Sequence, residues 1–381
     1  MTDTGDRWAL GLMSGTSLDG IDAALIRGDG RARVDPGPRL TVAYDAAFRA
    51  RLRAALGARD EGDPAVASVE RALTLRHADA VRRLLAEADL KPGAVAVLGF
   101  HGHTILHEPE AGRTRQIGDG ALLAAETGID VVCDFRTRDV AGGGQGAPLA
   151  PLYHAALAAE LAKPLAVLNL GGVANLTWIG PGIGPGIGPG AGASEGAIRA
   201  FDTGPGNALL DDWADRHSGR PLDRDGALAR AGRVDETALA ALLDNPYFDR
   251  PPPKSLDRDA FDPAPVERLS PADGAATLTA FSAAAVARAL DHLPAPPRRW
   301  LVTGGGRHNP ALMAALAERL EAPVAPVEAV GWDGDALEAQ AFAYLALRSL
   351  DGLALSLPGT TGVARPMPGG VVHRAPAGCA L

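Results

Sequence analysis

The stretch Leu10-Gly-Leu-Met-Ser-Gly-Thr-Ser-Leu-Asp-Gly-Ile-Asp-Ala-Ala-Leu-Ile26 decides how the rest of the chain is read. Two apolar runs, Trp8–Met13 and Ile21–Ile26, flank the polar turn Ser14-Gly15-Thr16-Ser17. That pattern predicts a strand, a tight loop and a returning strand. Gly15 and Gly20 let the backbone turn sharply and come close to a ligand. Ser14, Thr16 and Ser17 set hydroxyls beside backbone N–H groups, as an anion-binding nest requires. Asp19 and Asp22 follow, where a carboxylate can hold a hydrated magnesium ion near phosphate oxygens. The same residue types also build an ordinary hairpin, because turns favour Gly, Ser and Asp. Both readings stand open on these residues alone. A Walker-type site is excluded, since no Gly-x-x-x-x-Gly-Lys-Ser/Thr occurs.

Composition bounds the answer. At 381 residues the chain is too long for one ordinary core and suits two domains. Hydrophobic content of 46% with 22% charged residues describes a globular protein without a membrane span. A net charge of −9 argues against a nucleic-acid partner. The two cysteines, Cys133 and Cys379, make neither a disulfide framework nor a Cys-rich zinc site. Met1–Arg7 has no apolar h-region, so no signal peptide is expected and a cytoplasmic address fits.

Along the chain, Arg39–Ala43 reads as a strand, Ala46–Leu56 as a short helix and Pro64–Ala88 as a long one. In that long helix Val66, Val69, Leu73, Val81 and Leu84–Leu85 form an apolar stripe. Val95–Phe100 reads as a buried strand with His101, His103 and Thr104 at its end, the edge where open α/β sheets gather ligand contacts. A helix Gly120–Thr127, a strand Val131–Phe135, a loop Ala141–Pro148 and a helix Leu149–Leu161 follow. Lys163-Pro164 marks the domain boundary. Leu165–Leu170, Gly171-Gly172 and Val173–Ile179 then repeat the opening strand–turn–strand, an architectural echo of the first half. Gly180–Gly192 is low-complexity and reads as a surface loop. Arg199–Asp202 is a strand, and Asn207 is placed to cap the helix Ala208–His217. Helices Asp235–Leu243 and Gly274–Leu290, a strand Trp300–Thr303, a helix from Pro310 and a helix Asp335–Leu350 complete an α/β protein.

Asp202 ends an apolar strand just before Thr-Gly-Pro-Gly, the placement of a general base, and partial burial there would raise its pKa. A turn or capping aspartate has the same signature. Glu338, in a first helical turn, is equally open to a purely structural role. Gly304–Gly306, between strand and helix, either admits a nucleotide close to the backbone or serves as a hinge. His101 and His103 alternate on a strand and so point to one side, but no third ligand at zinc spacing follows, and no metal site is assigned. No Gly-x-Ser-x-Gly elbow supports a serine hydrolase.

Taken in order, ten blocks resemble the anhydro-N-acetylmuramic acid kinases, of the actin, heat-shock ATPase and hexokinase-like superfamily. They are Gly11–Asp22, Gly99–Thr104, Gln116–Gly120, Asp134–Asp139, Gly144–Leu149, Asn169–Asn175, Phe201–Asn207, Lys254–Arg258, Gly304–Pro310 and Asp335–Ala339. The resemblance implies two ribonuclease H-like α/β halves, residues 1–163 and 164–381, with a ligand cleft between them. It implies ATP with Mg2+ as cofactor. Gly15, Thr16, Ser17, Leu18, Asp19, Gly20, Ile21 and Asp22 would form the first phosphate loop, and Gly171, Gly172 and Asn175 the second. Gly304, Gly305 and Gly306 would lie by the nucleoside. Asp202 would activate a water that attacks the anomeric carbon of the 1,6-anhydro sugar, while O6 takes the γ-phosphoryl group. His101, Thr104, Arg138 and Glu338 would contact the sugar, with Arg138 suited to the lactyl carboxylate. His103 stands where the family usually has glutamine, which would make that contact pH-sensitive. A kinase for another amino sugar and an ATP-driven switch are the competing readings. A homodimer is left open.

Overall fold

The structure, a computed structural model, describes residues 5–15, 17–60, 62–183, 197–258 and 260–376. Contacts divide the chain into two units. The first runs to Glu160 and resumes at Ala336; the second comprises Leu161–Pro181 and Gly196–Asp335.

In the first unit β1 (Arg7–Ser14) and β2 (Gly20–Gly28) pair antiparallel as the opening stretch predicts, and β3 (Val34–Ala43) extends the ribbon. β1 and β2 are buried along nearly their whole length, which is why their sequence is a continuous apolar run rather than an alternation. β3 is longer than the predicted Arg39–Ala43. It is the sheet's edge, half exposed, and an edge tolerates Pro36 and Pro38 within a strand.

α1 (Ala46–Ala55) and α2 (Pro64–Glu87) are capped by Asp45 and Asp63, whose side chains accept from Phe48 N and Ala65 N. The predicted stripe of α2 is buried and joins Leu10, Leu12, Ile21, Leu98 and Phe100 in one core. β4 (Val95–Glu108) runs parallel to β1. It continues well past Phe100 because β5 (Arg113–Ile117), unseen in the sequence pattern, returns against it. α3 (Gly120–Thr127), β6 (Val131–Cys133), α4 (Thr137–Ala141) and α5 (Pro151–Leu157) complete this stretch.

The second unit is built on β7 (Leu165–Leu170), β8 (Val173–Ile179) and β9 (Ile198–Pro205). After them come α6 (Ala208–Ser218), α7 (Ala227–Ala231), α8 (Glu236–Leu243) and α9 (Pro271–Arg288). β10 (Trp300–Thr303), α10 (Pro310–Arg319) and β11 (Val324–Pro326) close it. Its sheet order is β11-β10-β7-β8-β9, with β7, β8 and β9 antiparallel and β10 and β11 parallel to β7. The first sheet carries the same core order, β6-β4-β1-β2-β3, with the same pattern of directions. The architectural echo read from the sequence is thus a repeated topology.

The contact division falls between Glu160 and Leu161, close to the boundary expected at Lys163-Pro164. Residues 336–381 belong with the first unit, whereas the sequence reading assigned them to the second. α11 (Leu337–Leu350) lies on β1 and β4, β12 (Ala354–Ser356) and β13 (Met367–Pro368) pair beside α12 (Pro358–Thr361), and β14 (Val371–His373) adds to β6. The apolar face of α11 identifies a packed helix but not which sheet it packs on. The reading of Gly180–Gly192 as a surface loop concerns mostly 184–192, outside the described residues. Among the described residues no helix is long and apolar enough to cross a membrane.

α11 approaches its sheet so closely that two strand positions must be glycine. A Cβ on Gly11 would sit 1.7 Å from Ala339 O, and one on Gly99 would sit 2.0 Å from Phe342 O. Backbone cannot yield as a side-chain tip can, so Gly11→Ala and Gly99→Ala should each cost about 3 kcal/mol or more. Urea unfolding followed by circular dichroism measures this; a midpoint unchanged in either variant contradicts the packing.

Candidate functional site

The loop between β1 and β2 is a tight turn closed by Leu18 N donating to Gly15 O at 3.1 Å. The left-handed residue in it is Leu18, at φ 59°, not Gly15. Leu18 is also buried, so core packing holds a backbone that its Cβ disfavours. Gly20 has a different task from the one the sequence suggested: a Cβ there would lie 2.5 Å from Val42 O, so it admits β3 rather than bending the turn. Ser17 Oγ donates to Asp19 Oδ1 at 2.8 Å, and Thr41 Oγ1 donates to Asp22 Oδ1 at 2.7 Å. Thr16 lies outside the described residues.

Beneath the loop, Ser14 Oγ is hydrogen-bonded to Tyr44 Oη at 2.8 Å and to His103 Nδ1 at 3.0 Å, all buried. β1 and β4 bring Ser14 opposite His103. The two histidines of the strand end do not converge. His101 donates from Nδ1 to Gly102 O and takes Arg136 Nε and Nη2 on its Nε2, at 3.1 and 3.0 Å. Gly102, at φ 72°, breaks the alternation that placed both rings on one side. Thr104 Oγ1 accepts from Gln116 Nε2 at 3.2 Å, leaving Gln116 Oε1 buried without a hydrogen bond.

Glu338 opens α11 close to the loop. Desolvation raises its pKa, with Arg136 lowering it and Asp22 and Asp19 adding to the rise. Its side chain nonetheless keeps solvent access. Arg136, which the sequence reading passed over, therefore sits with His101 and Glu338, and also donates to Gly146 O at 2.8 Å. Arg138, two residues on in α4, is exposed. Nothing in Asp134-Phe-Arg-Thr-Arg-Asp139 marks which arginine turns inward.

The second unit aligns its candidates in a row. Register pairs Thr303 with Asn169, Asn169 with Asn175, and Asn175 with Asp202, across β10, β7, β8 and β9. A bulge at Thr203 lets Asp202 meet Asn175 and re-aims the strand. Asp202 is buried; its Oδ2 accepts from Leu256 N at 2.8 Å and its carbonyl accepts from Tyr247 Oη at 2.5 Å. Gly304 takes φ 77°, and a Cβ there would lie 2.3 Å from Asn169 Oδ1. Gly305 is exposed with almost nothing near it, which leaves its backbone open to a ligand. Arg307 anchors this turn by donating to Gly304 O at 3.0 Å, Glu328 at 2.9 Å and Asp335 at 2.7 Å.

Gly171 and Gly172 turn their carbonyls inward, accepting from Asn207 N at 2.7 Å and Gly206 N at 2.9 Å. Asn207 does not cap α6 with its side chain, contrary to the sequence expectation. It has helical dihedrals, and its Nδ2 donates to Leu170 O at 3.0 Å, fastening α6 to the end of β7.

A family model described as anhydro-N-acetylmuramic acid kinase matches residues 7–375. The anhydro-N-acetylmuramic acid kinase of Rhodospirillum rubrum is 60% identical, over 95% of this chain and 93% of its own. That of Paramagnetospirillum magneticum is 58% identical over 96% of this chain and 99% of its own. Among solved structures, a xylulose kinase from Rhodospirillum rubrum is 14% identical over 87% of this chain and 92% of its own, with a TM-score of 0.42, too loose a likeness to bear on the site.

His103 is not the pH-sensitive contact the sequence suggested. Desolvation holds its pKa down to about 4, against the opposing bond from Ser14, so the ring is neutral from pH 5 to 8. His77, buried nearby, is held at about 4 by desolvation, with its bond to Leu73 O opposing. A pKa depressed on folding contributes stability that is present above the unfolded value of about 6.5 and is lost as pH falls toward 4. Each such group is worth about 3 kcal/mol across that window. Urea midpoints should therefore fall from pH 7 to pH 4, and His103→Gln should shallow the slope; an identical slope in the variant contradicts the neutral buried ring.

Proposed function

Because the chain belongs to the anhydro-N-acetylmuramic acid kinase family, we propose that it opens the 1,6-anhydro ring of anhydro-N-acetylmuramic acid and phosphorylates O6 with ATP. Asp202 acts as general base. It takes a proton from a water whose oxygen bonds to the anomeric carbon; the bond from that carbon to O6 breaks; O6 attacks the γ-phosphorus and ADP leaves. The products are N-acetylmuramic acid 6-phosphate and ADP. One observation carries the assignment: Asp202 ends the row Thr303–Asn169–Asn175–Asp202, which starts two residues before the open backbone of Gly305. Such a row suits a reaction that needs position and charge compensation more than covalent help from the protein.

The loop of Gly15 to Asp22, Gly171, Gly172 and Asn175 would hold phosphates, and Gly304 to Gly306 the nucleoside. His101, Thr104, Arg138 and Glu338 would contact the sugar, with Arg136 joining them. Among the described residues no three His, Cys, Asp or Glu side chains converge as a metal site. Magnesium commonly binds through one or two carboxylates, waters and the substrate's phosphates. Asp19 and Asp22, hard oxygen donors beside the loop, fit that arrangement, and the ion would offset phosphate charge. The acidic balance and two cysteines suit a cytoplasmic enzyme of cell-wall sugar recycling. Membership of this family favours neither a kinase for another amino sugar nor an ATP-driven switch.

The test is a coupled assay of ADP release with the anhydro sugar and, separately, the reducing sugar. Phosphorylation of the reducing sugar alone would reject the proposal. Asp211 is the informative contrast to Asp202, since desolvation pushes its carboxyl up to about 7 while Arg258 opposes the rise, a value suited to a general base. Asp202→Asn should lower kcat about 10²- to 10⁴-fold with ATP binding retained, and Asp211→Asn should stay within about tenfold of wild type. The reverse ranking moves the base to Asp211.

A further inference from the structure

Lys254 lies in the second unit with 3% of its surface exposed, and no carboxylate among the described residues pairs with its ammonium. Nζ donates to Tyr247 O at 3.0 Å and to Phe248 O at 3.3 Å. It also stands 4.6 Å from the centre of the Tyr247 ring and 5.7 Å from that of Phe201. His292 Nε2 is 3.3 Å away, but it donates to Phe248 O at 2.8 Å, so it offers the charged amine no lone pair. The third N–H is left to the Tyr247 ring, a cation–π contact. A buried lysine held by carbonyls and a ring, without a counter-ion, is costly to keep, which asks what the charge does there.

The neighbouring bonds answer. Tyr247 Oη donates to Asp202 O at 2.5 Å; Asp202 N donates to Lys254 O at 3.1 Å; and Leu256 N donates to Asp202 Oδ2 at 2.8 Å. Every one of these holds on Asp202 comes from the segment that Lys254 draws together, and Lys254 grips Tyr247 by both carbonyl and ring. We infer that Lys254 is the positioning residue of Asp202: its ammonium gathers residues 247–256 into the form that fixes the carboxylate's direction. This rests on the reading of Asp202 as the base.

The charge is part of the device, because a neutral amine gives up the cation–π contact. Desolvation lowers the pKa of Lys254 to about 8, Arg250 adding to the fall and Asp249 opposing it. Asp249 is itself paired with Arg288 of α9, and His292 is the remaining titratable group against the amine. Tyr247 stays a donor throughout, since desolvation and then Asp202 raise its phenol. The cation–π part of the grip is therefore lost as pH rises through about 8, while the neutral amine still donates to the Tyr247 and Phe248 carbonyls.

The experiment compares the full-length wild type, Lys254→Met, Tyr247→Phe and Asp202→Asn, reading kcat, KM for sugar and ATP, and melting temperature from pH 6 to 9.5. Lys254→Met should lower kcat about 10- to 100-fold with both KM values within about threefold and a native-like melting temperature. Wild type should show an alkaline fall of kcat near pH 8, and Lys254→Met should lack it. Tyr247→Phe should lower kcat in the same direction while retaining that fall, and it carries the test if Lys254→Met does not fold. Wild-type kcat in Lys254→Met with Asp202→Asn inactive overturns this inference alone. Activity in Asp202→Asn overturns the reading beneath it. A kcat loss in Lys254→Met that tracks a falling melting temperature makes the lysine merely structural and also overturns the inference.

Discussion

The first unit depends on a helix laid directly on strand backbone. α11 meets β1 and β4 where Gly11 and Gly99 carry no side chain, and no other residue leaves room for the carbonyls of Ala339 and Phe342. That contact does more than fill space. It fixes the first turn of α11, and with it Glu338, near enough to Asp19, Asp22 and Arg136 for all three charges to bear on its carboxyl. A segment arriving more than three hundred residues after the hairpin completes the hairpin's charged surroundings. Close backbone packing thus helps to set the distance between those charges.

The repeated topology explains why polar residues collect where they do. In each sheet the first strand of the antiparallel meander, β1 or β7, also belongs to a parallel pair, so the end of that strand is the place where loops from several strands meet. In the first unit Ser14 ends β1 opposite His103, and Asp22 lies beside Met13 and Thr41. In the second, Asn169 near the end of β7 stands between Thr303 and Asn175. Equivalent positions of one architecture thus carry different chemistry: buried hydroxyls and imidazoles in one copy, amides and a carboxylate in the other.

How much of this was legible follows from what each residue answers to. The hairpin, the long α2, β7, β8 and β10 were readable because apolar runs bounded by Gly, Pro and Asp state both type and limits. β5 was not, since Arg113-Thr-Arg-Gln-Ile117 is polar and is held by β4 rather than by its own pattern. The return of residues 336–381 to the first unit was equally hidden, because an apolar face names no partner. At the site, Gly304 was singled out from its place just after β10, and Asp202 from an expected strand end that the structure moves on to Pro205, because pairing with β8 continues past the bulge at Thr203. Leu18 was missed because a left-handed leucine exists only where tertiary packing imposes it. Arg136 was missed because two arginines separated by one residue look alike until His101 and Gly146 select one. The capping role of Asn207 failed for a related reason: its amide found the Leu170 carbonyl, a bond no local pattern contains.

The two units also immobilise their functional groups by different physics, with different consequences for pH. Around Ser14 the holding groups are a phenol and an imidazole that desolvation keeps neutral, so they present the same hydrogen bonds across the physiological range. Around Asp202 they are the Leu256 N–H, the Lys254 carbonyl and the Tyr247 phenol, drawn into place by a charge that is itself labile. The Leu256 amide gives the Asp202 carboxylate a fixed direction through a neutral donor. The lysine acts one step away, on the carbonyls of the holding segment, so its charge organises the loop rather than binding the carboxylate oxygen that Leu256 holds.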